Sequence, residues 1–491
     1  MYNRPFYGLP LHPPRRLDFL RRLFTTPDIF STTHGFDGNR MIRKLLRRVF
    51  SGRSSPPGQV QVVPRSKHGV TRDKISSSAR RVTTTLQEKG YAAYIVGGAV
   101  RDLLLGLEPK DFDIATDATP EQVRGAFRRS RIIGRRFRLV HVMFGDDTIE
   151  VSTYRARHGS DPAEGSSDEH GRILRDNVFG TQEEDASRRD FTINAMFYDP
   201  TSEEIFDFCD GLADLKARRL RMIGDPEQRY REDPVRMLRA VRLAAKLGLK
   251  IESDTRAPIK RLAPLLANVP SARLFEEMMK LLMSGHATAC LLQLRHEGLH
   301  GGLLPMLDVI LDQPMGERFV MMALQSTDER IREEKPVSPG FLFAALLWHE
   351  VLAAWKIAQE EGLSAMPALF KAMDQVIHVQ AEKLSIPRRF GADMKEIWAL
   401  QPRLLARSGR RPYSVLTHPR FRAGYDFLVL RCDSGEVEAE AAEWWDNFQK
   451  ADEETRKQML LPERGPKRRR RRRKPRGEGG DAPAAAEPAE S

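Results

Sequence analysis

The feature that most constrains the fold is a short apolar strand that runs directly into the pair Gly97-Gly98. Glycines at the end of a strand let the backbone turn sharply and bring its N–H groups close to a phosphate. A second predicted strand, residues 111–115, follows and carries the pattern Asp-x-Asp. Side chains on a strand alternate between faces, so we expect Asp111 and Asp113 to point the same way. The sequence therefore predicts a sheet that presents a phosphate-binding turn beside two carboxylates.

Carboxylates in this arrangement suit a pair of Mg²⁺ ions in phosphoryl transfer. The alternative is that Asp-x-Asp is the solvated face of an edge strand. The preceding Gly-Gly-x-x-Arg-Asp element, which ends in Arg101 and Asp102, favours the metal site instead. Glu150 lies in a predicted hairpin of strands 141–144 and 148–154. Alternation leaves Glu150 either beside the two aspartates or on an exposed face, and both interpretations stay open.

A second polar motif, Arg-Arg-Asp-Phe-Thr-Ile-Asn, follows a short acidic helix whose capping box begins at Thr181. Its two arginines, Arg188 and Arg189, suit phosphate groups, while Asp190 and Asn194 suit the hydroxyls of a ribose. A surface Arg-Asp pair at the end of a helix is the competing interpretation. A nucleoside triphosphate is the ligand that would use all four groups.

A third motif opens a long predicted helix. We expect Asp233 as its N-cap, Pro234 as its first helical residue and Gly248 as its end. Arg236 and Arg239 then share one face with Asp233, because residues three apart are neighbours on a helix. That face either reads the edge of a nucleotide base or forms a solvated ladder of ion pairs.

Length, composition and charge limit the remaining possibilities. The 491 residues predict about three domains, and 41% hydrophobic residues are enough for a buried core. Three widely spaced cysteines exclude a disulfide framework and a thiolate zinc site, and they favour a cytoplasmic location. The net charge of +13 comes from the ends: residues 464–476 hold ten basic residues and no acid, and residues 1–60 hold eleven basic and three acidic residues. Basic arms of this kind predict binding to a polyanion.

No segment is predicted to span a membrane. The most apolar run, residues 341–354, is interrupted by His349 and Glu350 and is too short for a bilayer, so we expect a buried helix. The N-terminal residues are Arg-rich and acid-poor, which is compatible with a transit peptide or with a disordered extension. Either Met1 or Met41 is the true start.

Four motifs in this order resemble those of the class II template-independent nucleotidyltransferases: Gly-Gly-x-Val-Arg-Asp, Asp-x-Asp, Arg-Arg-Asp-Phe-Thr-Ile-Asn, and Glu-Asp-Pro-x-Arg from Glu232. This family includes the tRNA CCA-adding enzymes and the bacterial poly(A) polymerases. The resemblance implies an α+β fold, in which a polymerase-β-like head with a small mixed sheet and helices precedes an all-α neck and body with disordered basic ends. The expected domains are a basic extension (1–70), the head (71–225), the neck (226–290), the body (291–455) and an Arg-rich tail (456–491).

The resemblance also implies roles for individual residues. Asp111 and Asp113 hold two Mg²⁺ ions, and Asp190 and Glu150 are further catalytic carboxylates, of which either is the third one. The implied nucleotide-binding residues are Gly97, Gly98, Arg101, Asp102, Arg188, Arg189, Asn194, Glu232, Asp233, Arg236 and Arg239. The implied RNA-binding residues are Arg135, Arg136, Lys467, Arg468, Arg469, Arg470, Arg471, Arg472, Arg473 and Lys474.

Two segments favour one branch of the family. Residues 132–142 and 417–423, together with the Arg-rich end, are similar to the poly(A) polymerase branch. The expected reaction joins AMP from ATP to an RNA 3′ end and releases pyrophosphate, by two-metal catalysis and without a protein nucleophile. It would promote RNA processing and decay. The expected partners are RNA 3′ ends, ATP and RNA-decay proteins that bind the tail. The alternatives are a CCA-adding enzyme acting on tRNA and a non-catalytic RNA-binding protein.

Overall fold

The computed structural model describes residues 60–134, 138–156 and 178–462. The predicted RNA-binding residues Arg135, Arg136 and 467–474 lie outside the described residues, as do residues 1–59, nearly all of the predicted basic extension. Within the described ranges the expected α+β organisation is confirmed, because a mixed sheet with helices is followed by a long helical part.

One mixed sheet contains eight strands of the described residues. Their bounds are β1 Gln61–Val63, β2 Ala93–Val96, β3 Asp113–Thr116, β4 Ser130–Ile133, β5 Leu139–Phe144, β6 Asp147–Thr153, β7 Met196–Asp199 and β8 Glu204–Asp207. The order across the sheet is β1-β8-β7-β2-β3-β6-β5-β4. Strands β3 and β6 are parallel, and the other neighbours are antiparallel. A separate parallel pair joins β9 Arg219–Leu220 to β10 Lys250–Ile251.

The centre of the sheet brings the predicted motifs together. The last residue of β2, Val96, is opposite Asp113, the first residue of β3. On its other side Asp113 is opposite Glu150 of β6. The next residues along these two strands, Ile114 and Val151, are buried in the core. The Gly-Gly turn after β2 and the two carboxylates therefore share one end of the sheet.

The helices around the sheet include one that begins at the predicted capping box of Thr181. They are α1 Arg65–His68, α2 Ser77–Glu88, α3 Gly98–Leu104, α4 Pro120–Ala126, α5 Gln182–Arg188 and α6 Gly211–Lys216. Helices α4 and α5 start with complete capping boxes, formed by Thr119 with Gln122 and by Thr181 with Glu184. Each box satisfies two N–H groups that the first turn leaves without partners. Helix α2 packs on β6, and α4 packs on β5 and β6, so both cover the face opposite the carboxylates.

The described chain after residue 225 is helical apart from β10, and the expected all-α second half is confirmed. Its helices are α7 Pro226–Glu232, α8 Val235–Leu247, α9 Ser253–Arg256, α10 Ile259–Leu262, α11 Ser271–Leu282, α12 Ala287–His296, α13 Leu307–Leu311, α14 Pro314–Arg332, α15 Pro339–Leu346, α16 Trp348–Glu360, α17 Ala365–Ala381, α18 Arg388–Leu404, α19 Arg411–Leu416, α20 Phe421–Asp433, α21 Glu440–Lys450 and α22 Glu453–Met459.

The most apolar run is shared between α15 and α16 instead of forming one helix. The two helices bend by 54° where they meet. Phe343 and Trp348 are fully buried, which confirms that this run is buried. The expectation of one continuous helix is wrong. Within the described ranges no single helix has the length and apolar character needed to cross a membrane, although this bent pair has them jointly.

Several predicted boundaries differ from the structure. Strand β1, which precedes the predicted start of the head at residue 71, pairs with β8 of the same sheet. The predicted boundaries at 290 and 455 fall inside α12 and α22. Strand β3 begins at Asp113, so Asp111 precedes the strand. Strands β1, β4, β7 and β8 are additional to those predicted. A strand of three or four residues is too short to show periodicity. The ends of helices that cross a predicted domain boundary are not marked by composition.

Candidate active site

Acidic side chains meet at the end of the sheet where β3 begins. Asp113 and Glu150 are directly opposite each other and both reach solvent. Surrounding protein nevertheless desolvates the Asp113 carboxylate and raises its pKa to about 6, with Glu150 and Asp111 adding to the rise and Arg189 opposing it. In the structure Glu150 lies beside Asp113, as the first of the two open interpretations stated.

His141 joins this acidic group, although the sequence motifs did not single it out. It is opposite Glu150 in β5, and its Nε2 lies 3.1 Å from Glu150 Oε1. Asp113, Glu150 and His141 thus form a row across three neighbouring strands. His141 and Glu150 face each other across the predicted hairpin of strands 141–144 and 148–154, and this pairing is the signal that could have identified His141.

The acidic group fits a divalent cation. Among the described residues, no three His, Cys, Asp or Glu side chains form a preassembled metal site. Mg²⁺, however, is usually held by one or two carboxylates together with substrate phosphates, which is what Asp111 and Asp113 offer. Burial first, and then the charges of Glu150 and Asp111, raise the pKa of Asp113, and a bound cation would stabilise its charged form.

The turn after β2 has the geometry expected of a phosphate-binding loop. Gly97 has φ of 76° and ψ of −129°, a conformation open only to glycine, and Gly98 begins α3. A Cβ built on Gly97 would lie 3.5 Å from Nη1 of Arg189. The backbone turn and this guanidinium therefore face the same space, next to Asp113, whose pKa Arg189 lowers. That combination suits an anionic ligand.

Gly97→Ala should raise the KM for ATP by about tenfold and cost about 1–3 kcal/mol of stability, because the new side chain forces a strained backbone at the phosphate turn. Gly106→Ala is the matched control, since Gly106 has φ of 73° and no atom within 4 Å of a built Cβ. Steady-state kinetics and thermal melts of both variants test this. An equal KM in the two variants would contradict a role for Gly97 in binding.

Asp190 is the centre of a chain of hydrogen bonds. Its Oδ2 accepts from Arg239 Nε at 2.7 Å, and its Oδ1 accepts from Asn194 Nδ2 at 3.1 Å. Asn194 Oδ1 in turn accepts from Arg101 Nη1 at 2.7 Å, and Arg101 pairs with Asp102 at 2.6 Å. Burial acts to raise the pKa of Asp190, but the charge of Arg239 and the hydrogen bonds outweigh burial and hold this pKa well below its ordinary range.

Arg101, one of the nucleotide-binding residues that the resemblance implied, has its own partners within the protein. It is buried, at 6% exposure, and its guanidinium is occupied by Asp102 and Asn194. The guanidinium fills the space beneath Gly98, where a built Cβ would lie 3.5 Å from Nη2. Arg101 therefore supports Asn194 from within the protein. Its position one turn into α3 turns the side chain toward the protein.

The helix of the third motif begins one residue later than predicted. Helix α8 starts at Val235, with Pro234 and not Asp233 as its N-cap. Asp233 still serves the helix end, because its Oδ1 accepts from the Val235 N–H at 3.3 Å, and its Oδ2 accepts from Arg273 at 2.7 Å. Such one-residue shifts are common at helix ends. Gly248 ends the helix as predicted, with φ of 62°.

The two arginines of α8 contact different partners. Arg236 pairs with Glu232 at 3.0 Å and donates to the carbonyl of Arg229 at 2.8 Å. Arg239 instead pairs with Asp190 at 2.6 Å. The structure thus contains elements of both open interpretations, a local ladder of ion pairs at Arg236 and a link to the second motif at Arg239.

Asp185 holds the two arginines of the second motif and was not singled out from the sequence. It is buried and lies 2.8 Å from Nη2 of Arg189 and 3.6 Å from Nε of Arg188. Arg189 also lies over the ring of Phe197, 5.3 Å from its centroid. The i, i+3 and i, i+4 spacings along α5 are the signal that could have identified Asp185.

Comparisons with known proteins agree with this geometry. Three family models match the chain: Poly A polymerase head domain (93–221), Probable RNA and SrmB-binding site of polymerase A (248–311) and Polymerase A arginine-rich C-terminus (361–477). Poly(A) polymerase I of Escherichia coli is 48% identical over 415 residues, which cover 82% of this chain and 88% of that protein. The chain belongs to the poly(A) polymerase family.

CCA-adding enzymes are related over a smaller part. The CCA-adding enzyme of Bacillus pumilus is 41% identical over 199 residues, which cover 40% of this chain and 48% of that protein. The solved Thermotoga maritima CCA-adding enzyme complexed with tRNA has a TM-score of 0.53 at 19% identity and covers 80% of this chain and 88% of its own, a likeness of fold. The similarity that extends through the helical part is therefore to the poly(A) polymerases, and the predicted branch is confirmed.

Proposed function

We infer that this protein is a polynucleotide adenylyltransferase that adds AMP from ATP to RNA 3′ ends without a template. The observation that carries this function is the 48% identity to a poly(A) polymerase over 82% of the chain. In the reaction the RNA 3′ oxygen bonds to the α-phosphorus of ATP, the bond from that phosphorus to the bridging oxygen breaks, and pyrophosphate leaves. No side-chain nucleophile is needed, because the displacement is direct.

Asp111 and Asp113 are the proposed ligands of Mg²⁺. When bound, the metal ions neutralise the triphosphate and favour ionisation of the attacking hydroxyl. Glu150 is proposed as the third carboxylate of this site, because it is in register with Asp113 and free of any arginine partner among the described residues. Asp190 is less suited to that role, since Arg239 and hydrogen bonds already stabilise its charge.

The nucleotide is proposed to bind between the phosphate turn and the Asp190 network. Gly97, Gly98 and Arg189 would meet the triphosphate, since the turn and the guanidinium face the same space. Asp190, which Arg239 and Asn194 hold in one orientation, would accept a ribose hydroxyl. The proposed contacts of Asp233 and Arg236 with the base require the nucleotide to compete with Arg273 and Glu232, their present partners.

Incubation with each nucleoside triphosphate alone, Mg²⁺ and an unstructured RNA primer tests the proposed function. We expect a long ladder of products with ATP and little extension with the other three. Addition of only a defined CCA end to a shortened tRNA would instead identify a CCA-adding enzyme. RNA binding without extension by any nucleotide would identify a non-catalytic RNA-binding protein.

The Arg-rich tail is proposed to bind RNA and RNA-decay proteins, and cytoplasm is the proposed location. The ten basic residues of 464–476, and the match to an arginine-rich C-terminus, support the contact with RNA. The composition of the chain, with three widely spaced cysteines in 491 residues, suits a reducing compartment.

Deletion of residues 463–491 should weaken RNA binding and reduce its salt dependence, while AMP addition at saturating RNA and low salt persists. Each single-strand phosphate that the protein no longer neutralises lowers the slope of log affinity against log salt by about 0.7, and we expect a total decrease of a few units. A variant with lysine at every arginine of the tail is the control, since it keeps the charge. A full slope in the truncated protein would show that the tail does not hold RNA.

A further inference from the structure

A groove of about 600 Å³ lies at the end of the β5–β6 hairpin, outside the site described above. Helix α2 and the connection from α4 to β4 form its other walls. The residues that line it and matter here are basic or apolar: Arg81, Arg128, Arg129, Phe127, Met143 and Phe144. Phe144 extends the row of core residues on β5 beyond Val142 and remains partly exposed.

The three arginines of the groove have no acidic partners among the residues that the structure describes. Among the described residues, none of their guanidinium groups forms an ion pair or a hydrogen bond. The neighbouring Arg138 differs, since it pairs with Glu121. Asp146 and Asp147 lie in the hairpin turn at the rim, but neither reaches these arginines. The groove therefore concentrates positive charge that the described protein does not neutralise.

Aromatic surface accompanies this charge. The guanidinium carbon of Arg81 lies 5.5 Å from the ring centroid of Phe144, and Phe127 is nearly buried beneath the groove. Unpaired arginines suit phosphates, and an accessible ring suits the face of a base, which is the combination that binds single-stranded nucleic acid without sequence preference. A phosphate ion would make no use of the ring, and an apolar ligand would leave the arginines uncompensated.

The groove is at the same end of the sheet as the catalytic carboxylates. On β6, Asp147 pairs with Phe144 of β5, and Glu150 pairs with Asp113 of β3. Phe144 is therefore two strands away from Asp113 across the sheet and three residues away along the strand direction. The separation in the plane of the sheet is about 14 Å. Phe144 and Asp113 lie on opposite faces, so a chain that joins them must pass around the hairpin end. A few nucleotides of RNA span such a path.

We propose that this groove binds the RNA primer a few nucleotides upstream of the reacting 3′ end, with a base on Phe144 and phosphates at Arg81, Arg128 and Arg129. The proposal rests on the proposed function, because an upstream contact with the primer requires that its 3′ end reacts at Asp113. It assigns to the head a second contact with RNA, independent of the tail.

AMP addition to primers of different length tests the groove. The variant Arg128→Ala/Arg129→Ala is compared with Lys67→Ala/Arg72→Ala, which removes the same charge at the opposite edge of the same sheet. For an oligo(A) primer of about twenty nucleotides, we expect the groove variant to raise the KM about tenfold, and Phe144→Leu to raise it about fivefold through weaker stacking. The KM for a dinucleotide primer, which is too short to reach the groove, and the KM for ATP should stay unchanged.

The possible outcomes separate the proposals. If the groove variant had the same KM for the long primer as the wild type or the control variant, the proposed RNA contact would be refuted. A changed KM for ATP with the dinucleotide would also overturn it, because the groove would then bind free nucleotide. If the wild type extended no primer, the proposed function would fail. Fluorescence anisotropy with labelled oligo(A) would still test the groove, which predicts weaker binding by the groove variant than by the control.

Discussion

Asp113→Asn should lower the rate of AMP addition by about three orders of magnitude or more, because loss of a metal-binding carboxylate removes several kcal/mol of transition-state stabilisation. The fold should persist. Since burial and the neighbouring carboxylates raise the pKa of Asp113 to about 6, the side chain is charged above that pH, and its charge then destabilises the folded protein. A neutral Asn should therefore leave stability at pH 7 unchanged or slightly higher. Single-turnover rates and thermal melts measure the two effects.

Asp254→Asn is the control for this substitution. Asp254 is exposed on α9 and has no ion pair or side-chain hydrogen bond within the described residues. It should retain wild-type rates and stability, whereas Asp111→Asn should lose activity as Asp113→Asn does. Normal turnover by either active-site variant would refute the metal site, and loss of activity together with unfolding would assign Asp113 a structural role.

Local patterns were sufficient for the parts of the site that one segment forms by itself. The capping box of Thr181 depends on a few neighbouring residues and was predicted from those residues. Asp111 shows the limit, because the Asp-x-Asp pattern suggested a strand that begins two residues earlier than the hydrogen bonds support. The ends of elements depend on tertiary pairing that periodicity does not report.

Contacts between segments that are distant in the sequence could not be predicted from local patterns. Whether Glu150 lay beside Asp113 depended on which strands are neighbours, and the parallel pairing of β3 with β6 was not readable from either strand. His141 is different, because it pairs with Glu150 inside the hairpin that was predicted. The contact between Arg101 and Asn194 was likewise not predicted, since the motif fixes the spacing of Arg101 from Gly98 but not the direction of its long side chain.

Asp190→Ala should destabilise the protein by about 3 kcal/mol and abolish measurable use of ATP, because it leaves the largely buried guanidinium of Arg239 without its partner. A double-mutant cycle with Asp190→Asn and Arg239→Gln should show strong coupling, since the pair is joined at 2.6 Å. The pair should contribute throughout the neutral range. The pKa of Asp190 is depressed, so its stabilisation is present above the ordinary carboxylate pKa and is lost only as the pH falls toward the folded-state value.

The ion pair Arg256–Glu297 is the control that distinguishes a role of Asp190 in nucleotide binding from a role in stability alone. It is joined at 2.9 Å, has one buried partner and belongs to the helical part without touching the predicted nucleotide-binding residues. Its double-mutant cycle should show coupling in the melting temperature but an unchanged KM for ATP, whereas the Asp190 cycle should show coupling in both. The reason is that Asp190 joins the pocket through Asn194 to Arg101, so its loss disturbs binding as well as packing. Coupling confined to stability in both cycles would reduce Asp190 to a structural residue.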